Sequence, residues 1–121
     1  MDIDENPYQQ WDQATKLAID EVAAEIVAAA GRLSAASCAW LLLVEKFDGA
    51  SGHVRAGFAS TAHWLAFACG LAQRTALDHV RVAQALAAHA ALAREMSAGR
   101  LSYSQVRAIA RAAGPTEDQL V

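Results

Sequence analysis

The 121-residue sequence has only two cysteines and two prolines. Cys38 and Cys69 lie far apart with no further cysteine near either, which excludes a zinc knuckle or a disulfide framework. Each falls in an apolar run, so both are expected as buried thiols. Pro7 and Pro115 flank the span from Tyr8 to Gly114, so no proline interrupts a helix there. The start, MDIDENPYQQ, is acidic and polar, without the charged and then apolar layout of a secretory signal. The longest apolar run, Ala35 to Val44, is about half of what a membrane span needs. A cytoplasmic protein with no membrane contact is expected. Glycine-rich phosphate loops, nucleophile elbows and paired-carboxylate motifs are lacking. His53, His63, His79 and His89 stand at no recognised ligand spacing from a carboxylate or cysteine. No catalytic, metal or cofactor site is therefore expected, and each histidine reads as an isolated helix or loop residue.

What is present in excess is alanine, thirty residues of a sequence that is 55% apolar. Alanine favours helix strongly and buries little area, so the composition argues for closely packed helices and against sheet. The length suits one domain. The expectation is an all-α, compact bundle of about six helices: a flexible acidic arm over 1–10, a single helical domain over 11–113, and over 114–121 the start of a truncated following helix.

Along the chain, Ile19, Val22, Ala23, Ile26, Ala29, Ala30 and Leu33 recur at helical spacing from Trp11 onward, with Asp12, Lys16, Asp20 and Glu21 on the wet side. Gly31 is expected to end this helix and Ser34 to cap a second, Ala35 to Phe47. That second helix is apolar nearly all round and is expected to be the most buried. DGASGHVRAGF, residues 48–58, reads as a loop. Ser60 should cap a helix through Ala68, Gly70 should stop it, and Leu71 should plug back into the core. The next helix, Ala72 to Ala88, presents Ala76, Val80, Ala83 and Ala87 on one stripe and Arg74, Asp78 and Arg81 on the other face. A short helix from His89 follows, with Leu92 and Met96 inward and Gly99 closing it in the left-handed position. SYSQ, residues 102–105, forms a capping box before a last helix that packs Val106, Ile109, Ala110 and Ala113.

Charge divides sharply. Residues 1–50 carry nine acids against Lys16, Arg32 and Lys46, whereas residues 51–113 carry seven arginines against Asp78 and Glu95. Phosphate and base-edge contacts want arginine near a helix start. The hairpin around Gly70 has the glycine and flanking apolar residues of a helix-turn-helix, with Leu65, Ala66, Leu71 and Ala76 in the packing places. His79 stands where that motif wants an aliphatic residue. Arg74, Thr75, Arg81, Arg100, Arg107 and Arg111 are thus the candidate nucleic-acid contacts. The alternative reading makes them a solvated surface network, with Asp78 neutralising its neighbours.

Trp64 and Leu65, then Gly70 and Leu71, then Ala76, Val80, Ala83 and Leu86, and finally AGRLSYSQVRAIA with Gly99, Leu101, Ser102, Gln105, Val106 and Ile109, carry a family pattern over residues 35–113. On these residues the chain resembles the 13E12 repeat family of actinobacteria, helical domains often found ahead of an HNH endonuclease domain. Ala72 replaces the family's capping serine, and the family's proline is missing near Ala88 and His89. Asn6 is the only asparagine, so the HNH motif itself is absent. The resemblance implies a non-catalytic domain assisting a nuclease, with DNA as the partner. The rival expectation is a protein interaction or homo-oligomerisation module, with a homodimer formed through the N-terminal helices.

Overall fold

A computed structural model of the chain describes residues 11–113; the expected acidic arm over 1–10 and the expected helix start over 114–121 lie outside the described residues. Six α-helices and no strand occur among them: α1 (Gln13–Gly49), α2 (Gly52–Ala56), α3 (Thr61–Cys69), α4 (Gln73–Ala88), α5 (Ala90–Ser97) and α6 (Tyr103–Ala113). The chain is all-α, as its alanine content requires.

The expected break at Gly31 does not occur, and α1 runs unbroken for 37 residues. Its start is fixed by Asp12, whose carboxylate accepts from the Thr15 amide at 2.7 Å. The Thr15 hydroxyl and amide together hold that carboxyl below its ordinary range. Gly31 serves close approach instead of termination. A Cβ built on Gly99, at φ +79°, would come within 3.0 Å of the Gly31 Cα and carbonyl oxygen. The glycine of α1 thus marks where the turn between α5 and α6 rests on the helix backbone. Ser34 consequently lies inside α1 and caps nothing.

The second half of α1 lies chiefly against α4 and α5, and less against α2 and α6. Cys38, Leu41 and Val44, at helical spacing, supply its buried face. They join Ala62 and Leu65 of α3, Ala76, Val80, Val82, Ala83 and Leu86 of α4, Met96 of α5 and Val106 of α6 in one core. The expectation that this half would be covered on several sides is corrected, because Leu43 is 64% exposed and only one face is packed. Two further expected core positions, Ala87 and Ile109, are exposed. Cys69 is exposed as well, at the last turn of α3, so only Cys38 is a buried thiol. The Cys38 Sγ donates to the Ala93 carbonyl at 3.5 Å, and burial pushes the thiol pKa up.

The expected loop over 48–58 contains the short α2, and the tail of α1 takes its first residues. Asp48 there accepts a 2.6 Å hydrogen bond from the Thr61 hydroxyl. Phe47 stacks on Trp64 with ring centroids 4.0 Å apart, pinning α3 to the end of α1. The local signals around the hairpin hold. The Ser60 hydroxyl accepts from the His63 amide, Gly70 caps α3 at φ +68°, and the Leu71 amide donates to the Ala66 carbonyl. The capping box is reciprocal: the Gln105 amide donates to the Ser102 hydroxyl at 3.1 Å and the Ser102 amide to the Gln105 side chain at 2.9 Å.

Candidate interaction surfaces

Every residue from Trp11 to Ala28 is exposed, so the first half of α1 projects from the body formed by its second half and α2–α6. Leu17 and Val27 stand apart on it, but most of its large apolar side chains fall in one row. Ile19, Val22, Ile26, Ala29, Leu33 and Ala36 follow one another at alternating separations of three and four residues, the spacing of a coiled-coil seam. Ile26 is 64% and Leu33 69% exposed, and Val22 is also open to solvent. Trp40 and Leu43 continue the seam into the packed half, where Trp40 meets the ring of His79 edge-on with centroids 5.3 Å apart. Glu21, Glu25 and Arg32 lie to one side of the seam, and all three are exposed.

Continuity changes how α1 reads by length. As one helix it holds an 18-residue window of mean hydropathy 1.7, only 11% of it buried, and is long and apolar enough to cross a membrane. The expected break at Gly31 kept those apolar stretches apart. Arg32 is the one charged residue between Ile26 and Val44.

The second surface is the outer face of α4 with α6. Arg74 and Thr75 in the first turn of α4, and Arg81 two turns on, are exposed, as a helix-turn-helix reader requires. The other candidate arginines are divided. Arg100 makes a two-pronged contact with Glu95, Nε to Oε2 at 2.6 Å and Nη2 to Oε1 at 3.0 Å. This contact holds the Glu95 carboxyl below its ordinary range. Arg107 donates from Nη2 to Asp78 Oδ2 at 2.8 Å, tying α6 to α4. Asp78 therefore serves the arginine across the interface and not its neighbours Arg74 and Arg81 on α4. Arg111 is exposed on α6 one turn beyond Arg107. The six candidates differ in availability: Arg74, Thr75, Arg81 and Arg111 are exposed without a carboxylate partner among the described residues, while Arg100 and Arg107 already hold carboxylates.

Thr75, Asp78, His79, Tyr103 and Arg107 line an open cleft of about 250 Å³ between α4 and α6. His79 Nδ1 and the Tyr103 hydroxyl share a 2.8 Å hydrogen bond. Burial pushes the His79 pKa down; Asp78 opposes this and Arg107 adds to it. Burial, with Asp78 beside it, pushes Tyr103 up. The Nε of Arg107 is buried without a hydrogen-bond partner among the described residues. The cleft therefore holds an ion pair and an imidazole–phenol hydrogen bond, which join α6 to α4. No group of three or more histidine, cysteine or acidic side chains suited to a metal occurs among the described residues.

Sequence reasoning named the apolar positions of the first helix but not Glu25 and Arg32 beside them. The alternation of three and four, followed across Gly31, is the signal that finds them. It also missed the Asp78–Arg107 and His79–Tyr103 pairs, which join residues on different helices and have no local spacing. No family model, curated protein or solved structure matches the chain.

Proposed function

We propose that this chain is a non-catalytic interaction module that self-associates through the projecting half of α1. The observation that carries the reading is the row Ile19, Val22, Ile26, Ala29, Leu33 and Ala36, apolar, at seam spacing and exposed except for the half-buried Ala29. A soluble monomer seldom leaves so long an apolar stripe in water, because each such side chain gains by leaving it. A partner helix laid along the seam removes that cost, and the homodimer through the N-terminal helices follows.

Sedimentation equilibrium over a wide concentration range tests this on the wild-type chain and on the double variant Ile26→Asp, Leu33→Asp. Both positions are solvent-facing, so the body of the variant keeps its helical circular dichroism and its cooperative unfolding. The expected result is a dimer for the wild type and a monomer for the variant. A wild type that stays monomeric throughout overturns the reading. Flotation of that monomer with phosphatidylcholine vesicles, abolished in the variant, would transfer the seam to a membrane.

A second reading rests on a separate observation, the exposure of Arg74, Thr75 and Arg81 at the start of the hairpin's second helix. With the resemblance to domains that accompany HNH nucleases, it supports an accessory role in DNA association. Duplex binding that weakens with salt, and is lost when Arg74, Arg81 and Arg111 are neutralised, is its expected signature. Salt-independent or absent binding by the folded dimer removes it.

A further inference from the structure

Resting on the self-association just proposed, we infer that two copies of α1 pair antiparallel, in one register, with Glu25 of each copy beside Arg32 of the other. Written as heptads, the seam places Ile19, Ile26 and Leu33 at one core position (a) and Val22, Ala29 and Ala36 at the other (d). Glu25 and Arg32 then occupy the same flanking position (g), one heptad apart. In an antiparallel pair, this flank of one helix faces the same flank of its partner, and the two core positions face each other.

A two-fold axis midway between the two charges satisfies everything at once. Ile26 meets Ala29 of the second copy, Ile19 meets Ala36, and Leu33 meets Val22, so a large side chain faces a smaller one in each of these layers. The contact is self-complementary, as a closed two-fold dimer needs. On the opposite flank, Ala23 meets Ala30, which lets the backbones approach. Ala18 meets Ala39 on the charged flank, leaving the two Glu25–Arg32 pairs as the only charged contacts along Ile19 to Ala36.

The charges also select against the alternatives. Sliding the partner by one heptad in one direction sets Glu25 against Glu25, and in the other direction sets Arg32 against Arg32. A parallel pair instead places Glu25 beside Ala30 and Arg32 beside Ser37, and the charges contribute nothing. Within a single chain neither charge has a use. The positions three and four residues from Arg32 are all alanine, and those around Glu25 offer no cation. Neither side chain has a hydrogen bond or ion pair among the described residues. A repulsive device of this kind, costing little in the right register, is how helix pairs fix their geometry.

Charge-swap mixing tests the register with the full chain. Glu25→Arg alone places two like-charged arginine pairs in the dimer, and Arg32→Glu alone places two glutamate pairs. Each is expected to dimerise about tenfold more weakly than the wild type, on the scale of a few exposed ion pairs. Mixed together, the two variants form a heterodimer with both attractive pairs restored. The double variant Glu25→Arg, Arg32→Glu returns to wild-type affinity. Fluorescence energy transfer between the labelled variants, with sedimentation for mass, reads both effects. If the wild type dimerises but neither single variant weakens it, or the mixture shows no preference, the antiparallel register is overturned while self-association stands. If the wild type does not dimerise, the failure lies with the earlier reading.

Discussion

The two halves of α1 share one backbone, yet they live in different surroundings. From Gly31 onward the helix has a face against α4 and α5, and Leu41 is completely buried. Up to Ala28 every residue of the helix is exposed, and Val27, three turns before the buried Cys38 on the same face, is 73% exposed. The difference arises because the body is too short to line a helix of 37 residues. The uncovered half is long enough to be a marginal helix on its own, so its order comes from continuity with the anchored half. What remains uncovered is therefore helical, carries an apolar row and is held at one end, which are the properties a docking helix needs.

The largest effect that separates the halves comes from deleting methyl and methylene groups on either side of Gly31. Leu41→Ala is expected to lower the unfolding free energy of the body by about 2–5 kcal/mol, since it leaves a cavity in the core that Leu41 shares with Leu65, Val80 and Met96. Ile26→Ala, on the exposed seam, is expected to change it by less than about 0.5 kcal/mol when measured on monomer at low concentration. Denaturant unfolding of both variants checks this. Comparable losses at the two sites would mean that the first half of α1 is covered by the body after all.

The junction between the halves offers a smaller effect with opposite signs on its two sides. Gly99→Ala forces a side chain into the left-handed region, at about 1–2 kcal/mol, and drives its Cβ against the α1 backbone, so destabilisation beyond that figure is expected. Gly31→Ala places its Cβ at an ordinary 3.7 Å from the Gly99 carbonyl oxygen and removes a mid-helix glycine. It is expected to stabilise by about 0.5–1 kcal/mol. Thermal unfolding of the pair decides whether Gly31 is a point of close approach that tolerates one methyl or one that needs bare backbone.

This junction also shows what the sequence could and could not tell. Caps are written within four residues, so Ser60, Gly70, Gly99 and the Ser102–Gln105 box were legible, and the all-α fold followed from alanine and the placing of the prolines. Gly31 reads as a stop because the reason for it, the turn at Gly99, lies in a distant part of the chain. The same distance hides Asp78 from Arg107 in the sequence, where Asp78 reads as a neutraliser of Arg74 and Arg81. Cys69 was misplaced because an apolar run on a short helix has a wet side that composition does not reveal. The seam was half legible: its apolar members were counted, but a helix broken at Gly31 cannot show a repeat that crosses it.

The smallest expected effect lies where the seam enters the packed half, at Trp40 beneath His79. An imidazole depressed below its ordinary value near 6.5 is neutral in both folded and unfolded chains above that pH, and contributes no slope there. As the pH falls below it, the unfolded chain takes up a proton that folded His79 still refuses. Stability therefore declines with falling pH across the window down to the folded pKa, and levels off beneath it. His79→Gln is expected to remove that part of the decline, and the His79 imidazole resonance of the wild type should titrate below that of an unfolded peptide. Asp78 and Arg107 pull in opposite directions on the same ring. Asp78→Asn, which removes the opposing carboxylate, is expected to move the titration lower still and stretch the window toward acid. A titration that moves upward instead would mean that burial against Trp40 and Tyr103 is not what sets it, and that the closed end of the seam is wetter than its exposed half suggests.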